Sequence, residues 1–196
     1  MEQIKKYLLR KNGILFIVWG WVWFAGCLIE YSVDSLQFSF QLEQLKHVLS
    51  IGLPVLGFSF TALYVYWLYK VEFAADYRLL IIVWLVVIVA QVLTNLILFN
   101  ILHKIIFQLQ HPIFMLLVAA GILITGYILK YKLVISGGIF FGGLAYLCSY
   151  FELHEQILIE SIAWLIAFVI PGHIIAMNST NDNTRFIQDK NQNEKQ

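Results

Sequence analysis

The residues best suited to chemistry in this sequence are a few polar side chains inside long apolar runs. Glu160 is the only charged residue of the run 157–170. Gln91 and Asn95 are one helical turn apart, so they share one face of a helix. An ionisable group inside a membrane is costly and is a candidate functional site, so Glu160 could exchange a proton or bind a cation. For Glu160 the alternative is a carboxyl that is hydrogen-bonded to its neighbours. For the amide pair the alternative is a hydrogen bond between helices. We favour the alternative in both cases.

A second group of candidates is a set of four histidines in the polar segments between the apolar runs. The four histidines are His47, His103, His111 and His154. Carboxylates accompany them in the same segments. Imidazole and carboxylate bind zinc, and three such ligands with an open position would make a catalytic metal site. No two of these histidines are three or four residues apart, so their spacing matches no metal motif. The alternatives are a pH-responsive cluster and ordinary loop or cap residues, and the last is favoured.

A stripe of small residues within residues 136–149 predicts close helix packing. Gly138, Gly142, Ala145 and Ser149 follow one another at spacings of four, three and four, so they line one face of a helix. In lipid, such stripes let backbones approach closely and are a main source of helix association. We therefore expect this helix at the centre of a bundle.

Pro171 and Gly172 interrupt the last apolar run of the sequence. A proline removes a backbone donor and kinks a helix, and the carbonyls that it frees can line a cavity, as in transporters with broken helices. The sequence has no internal repeat, and Pro54 in the second apolar run has no counterpart in the fifth. A simple kink near the end of the helix is therefore favoured.

The elements that carry these residues belong to a membrane protein. Hydrophobic residues make up 60% of the chain and charged residues 13%, against about 45–50% and about 25% in soluble domains. The net charge of +1 does not indicate a nucleic-acid partner. The two cysteines, Cys27 and Cys148, form no metal or redox motif, and we expect them to stay unpaired. The expected surroundings are the lipid bilayer, with a membrane-protein partner or a second copy of the chain, and no cofactor apart from the metal considered above.

Six apolar runs predict an all-α membrane protein with a bundle of six transmembrane helices, since about 20 residues cross a bilayer. The predicted spans form one domain and are residues 13–30, 48–69, 79–100, 112–129, 133–151 and 156–177. The basic start of the chain could belong to a signal peptide, but the first run is long for one, so it is taken as a retained span. The segment 31–46 is expected to be a loop and a short surface helix, and residues 178–196 a disordered cytoplasmic tail.

The basic residues predict the orientation of these spans. Cytoplasmic loops of membrane proteins carry an excess of lysine and arginine. With a cytoplasmic N-terminus, only Lys46 and Lys104 of the thirteen basic residues lie outside. Both termini are therefore predicted to be cytoplasmic, and the four histidines named above all lie at the outer face.

Two stretches resemble the C-terminal half of small uncharacterised bacterial inner-membrane proteins. They are KYKLVISGGI at 130–139 and IAFVIPGH at 166–173, and WGWVW at 19–23 is similar to the first span of the same proteins. The resemblance covers about half of the chain and implies a bacterial inner membrane. It implies no catalytic residue, because the family has none assigned.

Three classes of function fit the sequence. A non-catalytic bundle, acting as a sensor, an assembly factor or a subunit of a larger complex, fits the short loops and is favoured. A small transporter or channel would use a polar path near Glu160, Gln91 and Asn95. A metal-dependent membrane enzyme would use the outer histidines, and it would need at least three ligands to converge in space.

Overall fold

The computed structural model of the protein is helical in the residues that it describes, apart from short turns. These are residues 2–36, 48, 52–53, 55–64, 66, 75–100 and 107–177, with side chains described within 13–32, 78–98 and 109–177 of the three long ranges. Six helices occur within them: α1 (Glu2–Leu36), α2 (Val55–Tyr64), α3 (Ala75–Asn100), α4 (Phe107–Leu129), α5 (Lys132–Cys148) and α6 (Leu153–Met177). The same ranges contain no strand, in agreement with the predicted all-α class.

Four of these helices are long and apolar enough to cross a membrane. The stretches concerned are Gly13–Ser32, Arg78–Leu98, Leu109–Leu129 and Leu153–Met177. Helices α2 and α5 are apolar but shorter, and α5, with 17 residues, is about 26 Å long at 1.5 Å per residue. The six-span arrangement stays a prediction, since parts of the predicted span 48–69 lie outside the described residues, as does the predicted tail 178–196.

Helices α3, α4 and α6 begin three to five residues earlier than predicted, and the ends of α1 and α5 differ in ways that change the connections. Helix α1 extends beyond 13–30 at both ends and continues through residues 31–36, where the sequence predicts a loop. No proline or glycine separates these residues from the span, so nothing in the backbone stops the helix. Helix α5 ends at Cys148, earlier than predicted, in a turn where the Ser149 hydroxyl donates to the Tyr146 carbonyl. A capping box between Glu152 and Glu155 then starts α6.

Helix α6 is at the middle of the described bundle, with α1, α4 and α5 packed around it. Its contact with α1 is close because glycines remove side chains from the crossing. A Cβ at Gly20 would lie 2.9 Å from the backbone nitrogen of Val169, and a Cβ at Gly172 would lie 2.9 Å from that of Ile17. The structure thus puts α6 at the centre rather than α5, which packs mainly on α4 and α6.

The small-residue stripe of α5 lies against α4 over part of its length. A Cβ at Gly138 would lie 3.1 Å from the backbone nitrogen of Leu123, so this glycine permits a close approach. Ala145 is buried, and a Cβ at Gly142 would meet its nearest atom at an ordinary 3.6 Å. Ser149 is exposed and bonds within its own turn. The packing face therefore ends before Ser149.

Helix α6 runs through Pro171 without a break because its hydrogen-bond pattern changes just before the proline. Residues Leu165–Val169 form a π-helical segment, and the Ile170 N–H bonds to the Leu165 carbonyl five residues back. A proline has no N–H and its ring collides with the carbonyl four residues earlier. The wider π turn gives the ring room, so α6 continues to Met177, and the kink predicted near its end stays a prediction.

Aromatic rings fill the core around α6. The ring of Trp164, which is buried, stacks on Trp23 with centroids 5.4 Å apart, meets Phe141 edge-on at 5.2 Å and packs on Phe168 at 4.7 Å. Such pairs add about 0.5–1.5 kcal/mol each beyond the burial of area. The Trp164 indole is thereby held in one orientation, with its N–H directed at Glu160.

Candidate functional site: a polar cavity at one end of the bundle

A cavity of about 310 Å³ lies at one end of the helix bundle. Helices α1 and α3 reach it near their C-terminal ends, and α4 and α6 reach it near their N-terminal ends. Its polar lining side chains come from all four helices and are Glu30, Gln91, Asn95, Gln110, His111 and Glu160. The structure therefore brings together the three polar residues that stand out within the apolar runs, namely Glu160, Gln91 and Asn95.

The Glu160 carboxylate forms a buried part of the cavity wall, and each of its oxygens has a partner. Oε2 is 2.6 Å from Nδ1 of His111, and Oε1 accepts a hydrogen bond of 3.0 Å from Nε1 of Trp164. Trp164 follows Glu160 by four residues, so the two share a face of α6. The exposed fraction is 2% for the Glu160 side chain and 21% for that of His111. The geometry is that of a carboxyl hydrogen-bonded to its neighbours, one of the two alternatives that the sequence leaves open.

The bond between His111 and Glu160 can hold a proton on either group. The pair is either an imidazolium with a carboxylate or a neutral imidazole with a carboxylic acid, and both forms keep a hydrogen bond between Nδ1 and Oε2. Because a buried charge is stable only when it is paired, a change of charge on one group affects the other. The arrangement can therefore take up or release a proton at the cavity wall. The Cys27 thiol also faces the Glu160 carboxylate, and Cys27 and Cys148 are both buried and free.

The polar groups that α1 and α3 contribute are not paired in this way. The side-chain oxygen of Gln91 is buried and has no hydrogen-bond partner in the described part of the chain. Within the same ranges, Glu30 and Asn95 form no hydrogen bond or ion pair. The interhelical hydrogen bonds predicted for Gln91 and Asn95 are thus not formed among these residues, and both side chains face the cavity instead.

Helix α1 contributes cavity residues that the sequence does not single out. Glu30 stands at the end of a span, where a carboxylate can reach water and needs no special explanation. Trp23, Cys27 and Glu30 all line the cavity, and their spacings of four and three put them on one helix face. This spacing is a signal that could have found them. The spacing does not determine whether this face of α1 contacts α4 and α6 or contacts lipid.

Two of the four histidines predicted at the outer face lie within the described residues, and their surroundings differ. His111 lies in the cavity beside Glu160, whereas His154 is exposed, with Nδ1 3.9 Å from Oε2 of Glu152. His47 and His103 lie outside the described residues. Among the residues that are described, no group of three or more His, Cys, Asp or Glu side chains is arranged to hold a metal ion. The four-histidine metal site therefore stays a prediction that the structure does not test.

Comparison with known proteins does not extend the family resemblance seen in the sequence. The stretches 130–139 and 166–173, which carry most of that resemblance, lie in or next to α5 and α6 and contribute no residue to the cavity. What the cavity binds must be inferred from its own side chains. No known protein family, curated protein or solved structure matches the chain.

Proposed function

We propose that this protein is a non-catalytic integral membrane protein that binds a small solute in the cavity between α1, α3, α4 and α6, as a sensor or as the solute-binding subunit of a larger complex. The four helices long enough to span a bilayer support the membrane location. The distribution of basic residues supports six spans with both termini in the cytoplasm, and the cavity then opens to the outer face. The resemblance of its sequence to small bacterial inner-membrane proteins supports a location in the inner membrane of a bacterium.

The observation that carries this proposal is the convergence of polar side chains from four helices on one cavity. Pockets for small molecules have volumes of about 300–1,000 Å³ and combine apolar walls with a few well-placed polar groups. This cavity, of about 310 Å³, has that composition, since Trp23 and Phe114 stand among its polar residues. Glu30 and Asn95 form no hydrogen bond or ion pair in the described part of the chain, so their polar groups can bond to a solute.

The distribution of polar and apolar side chains on helix α3 supports a cavity that lies next to lipid. Gln91 and Asn95 of this helix line the cavity, while large apolar side chains elsewhere along it, such as Leu85, Val89 and Leu93, are exposed. Lipid tails solvate such side chains as well as protein does. A helix with this distribution separates a polar solute on one side from the bilayer on the other.

Filling the cavity tests the proposal. Gly26 lines the cavity and an added Cβ would have no other atom within 4 Å, so Gly26→Phe would place a ring there without a backbone clash. Gly143 in α5 has the same free space around an added Cβ and does not line the cavity, so Gly143→Phe is the matched control. The parent and both variants, in lipid nanodiscs, would be heated with a panel of small amines, alcohols, carboxylates and amides.

We expect at least one solute to raise the apparent Tm of the parent and of Gly143→Phe, and none to raise that of Gly26→Phe. A solute at about 100 times its Kd stabilises the folded state by about 2.7 kcal/mol, which corresponds to about 5–10 °C for a chain of this size. The proposal is refuted if no solute raises the Tm of the parent, or if Gly26→Phe is stabilised as much as the parent.

A second candidate, transport of the same solute, is favoured by the π-helical segment of α6. Such segments inside α-helices are frequent at functional sites, and Leu165–Val169 follows directly on Trp164, the partner of Glu160. A rearrangement of this turn would open a route from the cavity towards the other end of the bundle. Proteoliposomes with the parent should then accumulate the solute, and those with Gly26→Phe should not. Binding without accumulation would leave only the first function.

A further inference from the structure

We propose, resting on the function proposed above, that the solute is a small organic cation with N–H donors, such as a primary or secondary ammonium. The cavity lining contains two carboxylates, those of Glu30 and Glu160, and no lysine or arginine among the described residues. His111 is bonded to Glu160, so even a protonated imidazole offsets only one of the two carboxylates. An ionised Glu30 then leaves the cavity with a net negative charge, which is complementary to a cation.

The hydrogen-bonding groups of the cavity require donors on the solute. An ionised Glu30 carboxylate only accepts hydrogen bonds, and it forms none within the described ranges. Asn95, which also lines the cavity, offers a further acceptor oxygen. Leaving a buried acceptor without a donor is unfavourable, so native structures seldom do it. An ammonium group carries two or three N–H donors, which suits these acceptors.

The aromatic part of the lining favours an organic cation over a bare metal ion. Trp23 and Phe114 both line the cavity, with ring centroids 5.2 Å apart, and such an apolar wall suits the hydrocarbon part of an organic molecule. A metal ion would need several ligands around one point, and the described residues contain no group of three or more His, Cys, Asp or Glu side chains that is so arranged. A volume of about 310 Å³ suits a small organic molecule.

Three probes with the same ring and similar size separate charge from shape: benzylammonium, benzyl alcohol and benzoate. Their Kd values would be obtained from the rise in apparent Tm of the full chain in nanodiscs of neutral lipid, over a series of probe concentrations. Glu30→Gln removes a charge but keeps the shape of a side chain that forms no hydrogen bond or ion pair within the described ranges. Glu152→Gln is the matched control. Glu152 lies at the N-terminal end of α6, as the cavity does, but its side chain is 81% exposed and does not line the cavity.

We expect benzylammonium to bind the parent at least tenfold more tightly than benzyl alcohol or benzoate does. Glu30→Gln should weaken its binding at least tenfold, because the charged acceptor is lost, and Glu152→Gln should change it less than about twofold. The inference is overturned if benzyl alcohol or benzoate binds the parent as tightly as benzylammonium does. It is also overturned if Glu30→Gln binds benzylammonium like the parent, or if benzylammonium does not bind.

Gly26→Phe distinguishes a failure of this inference from a failure of the proposed function. If benzoate or benzyl alcohol stabilises the parent but not Gly26→Phe, the cavity is a solute site with a different preference for charge, and only the inference fails. If benzylammonium stabilises Gly26→Phe as much as the parent, it binds elsewhere, and both proposals fail.

Discussion

Glu160→Leu should destabilise the helix bundle far more than Glu160→Gln. In the structure the Glu160 carboxylate accepts from Trp164 Nε1 at 3.0 Å and is bonded to His111 Nδ1 at 2.6 Å. Leucine leaves both of these groups without a partner, and each buried polar group left unsatisfied costs about 1–3 kcal/mol. The loss is therefore about 2–6 kcal/mol, in line with the roughly 3–5 kcal/mol for removing one member of a buried pair.

Glutamine preserves both contacts. Its side-chain oxygen accepts from the Trp164 N–H, and its amide N–H donates to an unprotonated Nδ1 of His111. The remaining cost, from exchanging a charge-assisted hydrogen bond for a neutral one, should be about 1 kcal/mol. The matched pair of variants thus separates the loss of hydrogen bonds from the loss of charge.

Thermal unfolding in nanodiscs, followed by tryptophan fluorescence, measures the difference. At about 2–4 °C for each kcal/mol, a loss of about 3–5 kcal/mol lowers the apparent Tm of Glu160→Leu by about 6–20 °C, and Glu160→Gln loses less than about 4 °C. Adding His111→Leu to Glu160→Leu should cost less than the sum of the two single losses, by about 0.5–3 kcal/mol. Additive losses, or a Glu160→Leu variant that melts with the parent, would refute the described pairing.

Three further predictions concern topology, helix packing and the unpaired amide. In a variant without native cysteines, single cysteines at Ser35 and Ser179 should react with an impermeant maleimide from opposite sides of the membrane, and labelling from the same side would exclude six spans. Gly138→Ala should lower the free energy of unfolding by about 1–3 kcal/mol, because its methyl would lie 2.9 Å from the Leu123 side chain. Gly142→Ala, with its nearest atom at 3.6 Å, should be neutral or stabilising by up to about 1 kcal/mol, and equal Tm values for the two variants would contradict this packing. Gln91→Leu should raise the free energy of unfolding by about 1–3 kcal/mol, because it removes a buried acceptor without a partner in the described part of the chain. A lower stability of Gln91→Leu would show that this oxygen is paired in the folded protein.

The sequence by itself determined the features of this protein that depend on neighbouring residues. Long apolar runs predict helices, since backbone groups in lipid must be hydrogen-bonded within the chain. A spacing of four puts Gln91 and Asn95 on one helix face, and both line the cavity. A lone carboxylate in an apolar run avoids lipid, and Glu160 is accordingly only 2% exposed.

Only the tertiary structure decided which helix faces meet. Glu160 bonds to His111, 49 residues earlier in the chain, and no local pattern relates the two to Glu30. The stripe of small residues predicts α5 at the centre, but Gly20 and Gly172 let α1 approach the backbone of α6 closely, and α6 is the central helix. The reason is that lipid solvates any apolar face equally well, so hydrophobicity does not choose between faces. Complementary shape and polar groups make that choice, and these come together only when the helices pack.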